Sequence, residues 1–197
     1  MSFNDISQKL KKDLIINTNL LNQQIIFHSC WGLFSPKKID EGSQLLLNYL
    51  ELKDNDITFD LGCGYGAIGI AVALSCKKGE VYMVDKDFIA IEYTKKNIAI
   101  NNVENCTVFL SDAFSNVDNN IRFDNILSNL PAKVGREQLS IILYDAYEAL
   151  KPDGKIVVVT INGLRNFIKT NFMTVFGNYK KLKQGAKYTV ALAYKNK

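Results

Sequence analysis

A glycine-rich run, Asp60-Leu61-Gly62-Cys63-Gly64-Tyr65-Gly66-Ala67-Ile68-Gly69, contains the residue types that most clearly suggest chemistry. Glycines permit positive φ angles and let a ligand approach the backbone closely. A short strand is expected before the run and a helix of small residues after it, so the free N–H groups at the helix start can bind a negative group. Because open α/β sheets bind ligands at such turns, the run predicts a cofactor-binding loop.

Two cofactor classes compete for this loop. The stretch from Gly64 to Gly69 fits the dinucleotide pattern G-x-G-x-x-G, and Asp85 follows roughly 20 residues later, as in dinucleotide sites. Asp60 favours S-adenosylmethionine instead, because a carboxylate at this position suits an ammonium group and repels a pyrophosphate. Asp112 adds a polar contact suited to an adenine amine. A hairpin expected at the end of the chain also favours the methyl donor, since the dinucleotide fold is not expected to have one.

The elements that must position these residues alternate between strands and helices from residue 57 onward, which indicates a parallel sheet with right-handed crossovers. Strands are expected at 14–16, 24–27, 57–59, 80–84, 107–110, 123–127, 155–160, 179–182 and 188–194, with an Asn-rich turn at 17–22. Helices are expected from residue 40 onward and at 67–75, 88–100, 137–150 and 164–172, with a turn at 151–154. Only a few residues separate the last two strands, so they should form an antiparallel hairpin.

The run from Asp60 to Gly66 resembles the cofactor motif of class I S-adenosylmethionine-dependent methyltransferases. Residues 27–35 and 40–47 resemble the small-domain branch of this class, which includes the bacterial ribosomal RNA guanine-N2 methyltransferase of the small subunit. The resemblance extends from about residue 27 to the C-terminus. It implies a Rossmann-like α/β fold with a seven-stranded, mostly parallel sheet, an antiparallel last strand and helices on both faces. A β-hairpin and helix extension would precede the sheet.

The resemblance also implies which residues contact S-adenosylmethionine. Asp85 would bind the ribose hydroxyls, with Lys86 beside it, and Asp112 with Ala113 would lie at the adenine. The complete predicted cofactor set is Asp60, Gly62, Gly64, Gly66, Asp85, Lys86, Asp112, Ala113 and Asn129.

The segment Asn129-Leu130-Pro131-Ala132 occupies the position where the resembling enzymes carry Asn-Pro-Pro and then an aromatic residue. There, the Asn side-chain oxygen and the next backbone carbonyl accept hydrogen bonds from a planar –NH₂ group. This orients the nitrogen lone pair toward the sulfonium methyl group, so no strong base is needed. Asn129 is therefore the predicted catalytic residue, and Pro131 holds the loop.

Two departures affect the predicted substrate site. Leu130 replaces the first proline, which makes the loop less rigid. Ala132 replaces the aromatic residue that stacks on a flipped base, so stacking must come from Phe34 or Trp31. Phe34 is favoured because Ser35-Pro36 interrupts regular structure beside it, although both aromatics could instead cap the core. Phe34, Trp31 and Leu130 form the predicted substrate set.

Length and composition suit one domain with a substantial core: 197 residues, 47% of them hydrophobic. Residues 1–39 are expected to form an N-terminal extension and residues 40–197 the cofactor domain. Neither a membrane-spanning run nor a signal peptide is apparent, so the cytoplasm is the expected location and no membrane partner is expected. Four cysteines without a C-x-x-C pair and a single histidine predict no metal site. The oligomeric state stays open.

RNA is the expected partner, and the leading hypothesis is methyl transfer to the exocyclic amine of a nucleobase, with ribosomal guanine N2 favoured. The net charge of +4 is compatible with a polyanion but does not require one, and solvated lysine-rich surfaces and chain ends are the favoured explanation of the charge. A protein glutamine amide presents a similar –NH₂ group and is the first alternative. The unusual Leu130 and Ala132 would also suit a module that binds cofactor or RNA without turnover. An NAD-dependent oxidoreductase is the remaining alternative.

Overall fold

A seven-stranded sheet and a separate hairpin organise the structure, a computed structural model that describes residues 12–131 and 134–196. The hairpin strands are β1 (Leu14–Leu20) and β2 (Gln23–Ser29). The sheet strands are β3 (Ile57–Leu61), β4 (Glu80–Asp85), β5 (Cys106–Leu110), β6 (Phe123–Asn129), β7 (Leu150–Ile161), β8 (Lys180–Gln184) and β9 (Tyr188–Tyr194). Their spatial order is β5-β4-β3-β6-β7-β9-β8.

The strand order creates a crevice beside β3. This strand pairs in parallel with β4 on one side and with β6 on the other, so the chain reverses its direction of progress across the sheet there. β9 is antiparallel to both β7 and β8. The predicted mostly parallel sheet with an antiparallel last strand is therefore confirmed. Ligands in sheets of this kind bind at the carboxyl ends of the strands, where the order reverses.

Helices cover both faces of the sheet. They are α1 (Glu41–Asn48), α2 (Ala67–Ser75), α3 (Phe88–Ile100), α4 (Arg136–Ala149) and α5 (Arg165–Phe176). The first three share a core with the N-terminal hairpin, and the last two pack on the opposite face. In α4, the spacing of Leu139, Leu143 and Ala146 places all three on one fully buried stripe. The buried apolar faces fix the helix layers and leave the carboxyl ends of the strands free to form a site.

The N-terminal hairpin corrects one prediction. The turn expected at 17–22 is limited to Leu21 and Asn22, whose φ angles of 50° and 62° suit a tight two-residue hairpin turn. The strands continue through the Asn-rich segment because Ile16 and Leu20 face the core, while Asn17 and Asn19 lie on the exposed face of β1. The alternation of apolar and polar residues thus outweighs the turn preference of asparagine. The division at residue 39 stays a prediction.

Two further boundaries differ from expectation. α5 continues four residues beyond residue 172 and ends at Phe176. Gly177 is its C-cap, and the φ of 71° at this glycine suits a helix end. The predicted turn at 151–154 lies within β7 as an irregularity opposite β6. A Cβ on Gly154 would lie only 2.9 Å from the carbonyl oxygen of Phe123, so close backbone approach explains this glycine.

Candidate active site

A cavity of about 390 Å³ opens where the strand order reverses, beside the carboxyl ends of β3, β4 and β6. This volume is typical of small-molecule sites, which occupy roughly 300–1,000 Å³. The predicted cofactor residues on its wall are Gly62, Gly64, Asp85, Lys86, Asp112 and Ala113. From the predicted catalytic and substrate sets, the wall includes Phe34, Asn129, Leu130 and Pro131. Asp60, Gly66 and Trp31 are not on the wall.

The glycine loop forms one side of this cavity because its backbone adopts left-handed conformations, with φ of 74° at Gly62, 58° at Gly64 and 92° at Gly66. The N–H of Gly62 donates a 2.9 Å hydrogen bond to the carbonyl oxygen of Val84 in β4. A Cβ on Gly62 or Gly64 would meet no atom within 4 Å, so the loop leaves open space beside the backbone. At Gly66, a Cβ would lie 2.8 Å from Ile70, so packing beneath the loop explains that glycine.

Asp60 lies behind the loop, with 1% of the residue exposed. Its Oδ2 accepts a 2.8 Å hydrogen bond from the backbone N–H of Gly69 in α2, and Oδ1 is buried without a partner among the described residues. Burial raises the pKa of this carboxyl to about 7, against the opposing effect of the Gly69 hydrogen bond. An unpartnered buried oxygen beside the glycine loop fits a cationic ligand group. Contact with an ammonium group stays a prediction.

Asp85 ends β4 and connects the loop to the next helix. Its Oδ2 accepts a 2.9 Å hydrogen bond from the N–H of Gly64, and its Oδ1 accepts another of 2.9 Å from the N–H of Asp87. Each carboxylate oxygen has a further lone pair, so the side chain can also accept hydrogen bonds from ligand hydroxyls.

Asp112 and Ala113 follow β5 in a turn that Ser111 holds. The Ser111 hydroxyl donates a 2.8 Å hydrogen bond to the carbonyl oxygen of Ala113 and accepts one of 3.1 Å from the backbone N–H of Asn116. The N–H of Ser111 also donates to the carbonyl oxygen of Asp85, at 3.0 Å. The turn therefore brings Asp112 and Asp85 to the same cavity.

Asn129 is the last residue of β6, and both hydrogens of its side-chain amide are occupied within the chain. Nδ2 donates to Oδ2 of Asp40 at 2.9 Å and to Oγ of Ser43 at 3.0 Å. Among the described residues, no group donates a hydrogen bond to Oδ1 of Asn129. The amide oxygen is thus left as the acceptor for a ligand. Leu130, which follows, donates its N–H to the carbonyl oxygen of Val159 at 3.0 Å and so anchors the loop to β7.

Asp40, Ser43 and Tyr188 also line the cavity, and the sequence did not suggest a role for them in the site. Asp40 is the N-cap of α1, and from the sequence it is predicted only to begin a helix. Tyr188 donates its hydroxyl to Oδ1 of Asp40 at 3.0 Å. No local sequence pattern predicts this contact, because Asp40 and Tyr188 are 148 positions apart in the chain.

The two predicted stacking residues differ in their positions. Phe34 is 64% exposed and lies on the cavity wall. Trp31 is 44% exposed and lies outside the cavity, with Nζ of Lys37 4.8 Å from its ring centroid. The hydroxyl of Tyr65 donates to the carbonyl oxygen of Ser35 at 3.3 Å, which ties this segment to the glycine loop. Ala132, where an aromatic was expected in related enzymes, lies outside the described residues.

Two expected absences concern metals and membranes. Within residues 12–131 and 134–196, no group of three or more His, Cys, Asp or Glu side chains could hold a metal ion. No helix in this same part of the chain is long and apolar enough to span a membrane.

Residues 24–192 match the family described as methyltransferase small domain. The chain belongs to this family. The match confirms the predicted methyltransferase class and S-adenosylmethionine as the methyl donor of the family, and it decides against the dinucleotide alternative. The glycine loop of this methyltransferase domain lies at the cavity described above.

Three similar proteins extend this finding. The methyltransferase domain is 36% identical to the Bacillus subtilis protein YbxB over 141 residues, which cover 71% of this chain and 70% of that one. It is 32% identical over 163 residues to ribosomal RNA small subunit methyltransferase C of Hamiltonella defensa, covering 81% of this chain and 47% of the relative. A T. thermophilus 16S rRNA N2 G1207 methyltransferase, solved with AdoMet and guanosine, superposes with a TM-score of 0.82 at 27% identity. That match covers 94% of this chain and 50% of the other. The chain therefore spans about half the length of these two ribosomal RNA methyltransferases.

Proposed function

We propose that this protein transfers a methyl group from S-adenosylmethionine to the exocyclic amine of a nucleobase in RNA, with N2 of a ribosomal RNA guanine as the favoured target. The observation that carries the proposal is the fixed amide of Asn129, which presents only its oxygen for hydrogen bonding at the cavity. The similarity to a 16S rRNA N2 guanine methyltransferase supports the same target. We also propose that the protein acts in the cytoplasm, as the sequence predicts.

The chain's own groups suit S-adenosylmethionine. Asp85 would accept hydrogen bonds from the ribose hydroxyls, and Asp112 with Ala113 would lie at the adenine. Gly62 and Gly64 leave room for the ligand because no side chain projects from the loop there. Lys86 completes the proposed cofactor set on the cavity wall. Gly66 would contribute by shaping the loop and Asp60 through its buried carboxyl.

The substrate amine would be oriented by two acceptors in one loop. When bound, S-adenosylmethionine supplies an electrophilic methyl group on a sulfonium sulfur. Oδ1 of Asn129 and the carbonyl oxygen of Leu130 would accept the two N–H groups of the amine, which directs the nitrogen lone pair at the methyl group. Pro131 restricts the backbone directly after these acceptors. The gain in rate comes from orientation, so a strong general base is not required.

A flipped base would need an aromatic partner, and Phe34 is the residue we assign to this role. Its ring is exposed on the cavity wall, and base–aromatic stacking contributes roughly 1–3 kcal/mol. Trp31 lies outside the cavity, so we assign it to the nucleotides that flank the target. Lys37, beside the Trp31 ring, would contact their phosphates.

Transfer of tritiated methyl groups to ribosomal RNA transcribed in vitro tests the proposal. We expect incorporation into the small-subunit transcript, and nuclease digestion should recover the label as N2-methylguanosine. Asn129→Ala should reduce incorporation at least about 100-fold, because the orienting acceptor is lost. Binding of S-adenosylhomocysteine, measured by calorimetry, should weaken far less, by about tenfold at most, because Asn129 is only one of the predicted cofactor contacts.

Other outcomes of this experiment would contradict the proposal. Label on the glutamine amide of a translation release factor, with none on RNA, would assign the site to a protein substrate. Binding of S-adenosylhomocysteine and RNA without any transfer would indicate a binding module.

A further inference from the structure

We propose that Asp40 and Tyr188 are positioning residues, which hold the side-chain amide of Asn129 with its oxygen toward the cavity. The inference rests on the proposed function, in which Asn129 orients the substrate amine. It extends the site to two elements outside the glycine loop and the Asn129 loop, namely the start of α1 and the start of β9.

The orientation of an asparagine amide decides whether it offers a donor or an acceptor. At Asn129 the chemistry of the partner settles this, because an ionised carboxylate accepts hydrogen bonds and cannot donate them. The nitrogen must therefore face Oδ2 of Asp40, at 2.9 Å. Its second hydrogen is directed at Oγ of Ser43, at 3.0 Å. A rotation of the amide by 180° would place its oxygen against a carboxylate oxygen, which is strongly unfavourable.

The Asp40 carboxylate is itself held from three directions. Oδ2 accepts backbone hydrogen bonds from Gly42 at 2.7 Å and from Ser43 at 3.3 Å, as the N-cap of α1. Oδ1 accepts the hydroxyl of Tyr188 at 3.0 Å. Tyr188 is thus placed to act on Asn129 through Asp40, and among the described residues it supplies the only hydrogen bond to Oδ1 of Asp40.

Gly42 provides an independent sign that this arrangement is tightly fitted. A Cβ at this position would lie 2.7 Å from Oδ2 of Asp40 and 3.0 Å from Cδ1 of Tyr188. Gly42 is also buried on the inner face of α1. Any side chain there would have to displace the carboxylate or the tyrosine ring, so the glycine preserves the room that the contact needs.

A cap and a positioning residue make different demands on Asp40, and this difference supplies the test. Serine caps a helix about as well as aspartate, but its shorter side chain cannot reach both Asn129 and Tyr188. Asparagine is also a good cap, and it can still accept from Asn129 while donating to the Tyr188 oxygen. If Asp40 only caps α1, the serine and asparagine variants should behave alike.

We therefore expect Asp40→Ser to lower kcat for RNA methylation about 100-fold, and Asp40→Asn to lower it less than about tenfold. Tyr188→Phe should lower kcat by about fivefold, as expected for one lost hydrogen bond, with little further effect in the Asp40→Ser background. Tyr82→Phe is the matched control, because it removes the tyrosine hydroxyl that donates to Glu80 at the opposite end of β4. Affinity for S-adenosylhomocysteine should stay within about threefold throughout. Equal kcat values for the serine and asparagine variants would overturn the inference.

A second measurement separates this inference from the proposed function. In ¹⁵N-resolved NMR spectra, the side-chain amide protons of Asn129 should exchange slowly with solvent, because both are hydrogen-bonded. Asp40→Ser should accelerate their exchange by about tenfold or more, whereas Tyr82→Phe should not. Unchanged exchange in Asp40→Ser would overturn the positioning role even if RNA methylation is observed. If no RNA is methylated, the proposed function fails while the exchange rates still decide the arrangement of the amide.

Discussion

The Asp85 carboxylate accepts a 2.9 Å hydrogen bond from the backbone N–H of Gly64, so the end of β4 holds the glycine loop in place. Its other oxygen accepts the N–H of Asp87 at 2.9 Å, where α3 begins. One side chain therefore fixes two segments of backbone and still lies on the cavity wall. The contact explains why an acid at this strand end matters before any ligand is bound.

Replacing Asp85 should weaken cofactor binding more than it weakens the fold. Asp85→Ala removes the support of the Gly64 backbone and the proposed acceptor for ribose hydroxyls. We expect affinity for S-adenosylhomocysteine to fall about 10–100-fold in calorimetry, since charge-assisted hydrogen bonds contribute about 1.5–3 kcal/mol. Asp54→Ala is the control, because Asp54 pairs with Lys78 at 2.9 Å and is absent from the cavity wall. Equal affinities for the two variants would refute the assignment of Asp85.

The glycine loop permits a comparison between two glycines of similar conformation. Gly62 and Gly177 have φ angles of 74° and 71°, and a Cβ on either would meet no atom within 4 Å. Alanine at either position should reduce the free energy of unfolding by about 1–2 kcal/mol, because an L residue is strained at such φ. Only Gly62→Ala should also lower the affinity for S-adenosylhomocysteine, by about tenfold or more. Urea denaturation and calorimetry on both variants check this, and a similar loss of affinity in Gly177→Ala would contradict it.

The sequence predicted the fold well because the sheet and helix periodicities are strong from residue 57 onward. It placed the turn of the first hairpin wrongly, since the exposed face of β1 carries asparagines that locally favour a turn. That error shows how burial of Ile16 and Leu20 in the core that the hairpin shares with α2 and α3 overrides a local preference.

Residues of the candidate site could be predicted only where they belong to one short, continuous sequence motif. The glycine loop and Asn129 each belong to a compact motif, and both lie at the cavity. The link between Asp40 and Tyr188 joins the start of α1 to the last strand, so it depends on the packing of distant elements. The burial of Asp60 behind the loop could not be predicted from the sequence either. Strand alternation predicts which face of the sheet a side chain lies on, and it does not predict how far a carboxyl lies from the cavity.

Asp13 anchors the N-terminal hairpin to α3 through a cluster of polar contacts. Its carboxylate contacts Lys96, lies 2.8 Å from Nδ1 of His28 and accepts the Tyr93 hydroxyl at 2.7 Å. Hydrogen bonds from Lys96 and His28 hold the pKa of Asp13 well below its usual range. Its contribution to stability is therefore complete above the unfolded-state pKa of about 3.9 and declines as the pH falls through the lower native pKa.

Asp13→Asn should accordingly lower the free energy of unfolding by about 1 kcal/mol at pH 7. The difference in the free energy of unfolding between this variant and the unchanged protein should be smaller at pH 3, because the Asp13 carboxyl is already protonated in the unfolded chain at that pH. Urea denaturation at the two pH values measures it. A difference of the same size at both values would show that the charge of Asp13 does not anchor the hairpin.

Asp60 should make cofactor binding depend on pH. Burial raises the pKa of its carboxyl to about 7, so the free protein carries a proton there below neutral pH. A ligand ammonium group close to the unpartnered Oδ1 would favour the ionised form, and binding would then release this proton. Affinity for S-adenosylhomocysteine should therefore rise as the pH increases from about 5.5 to 7, by at most tenfold per pH unit, and level off above that. The side chain introduced by Asp60→Asn cannot ionise. Calorimetry on this variant should therefore show an affinity that changes less between about pH 5.5 and 7 than that of the unchanged protein. Parallel profiles for the two proteins would mean that the ammonium group binds away from Asp60, and the predicted contact of this carboxyl would then be wrong.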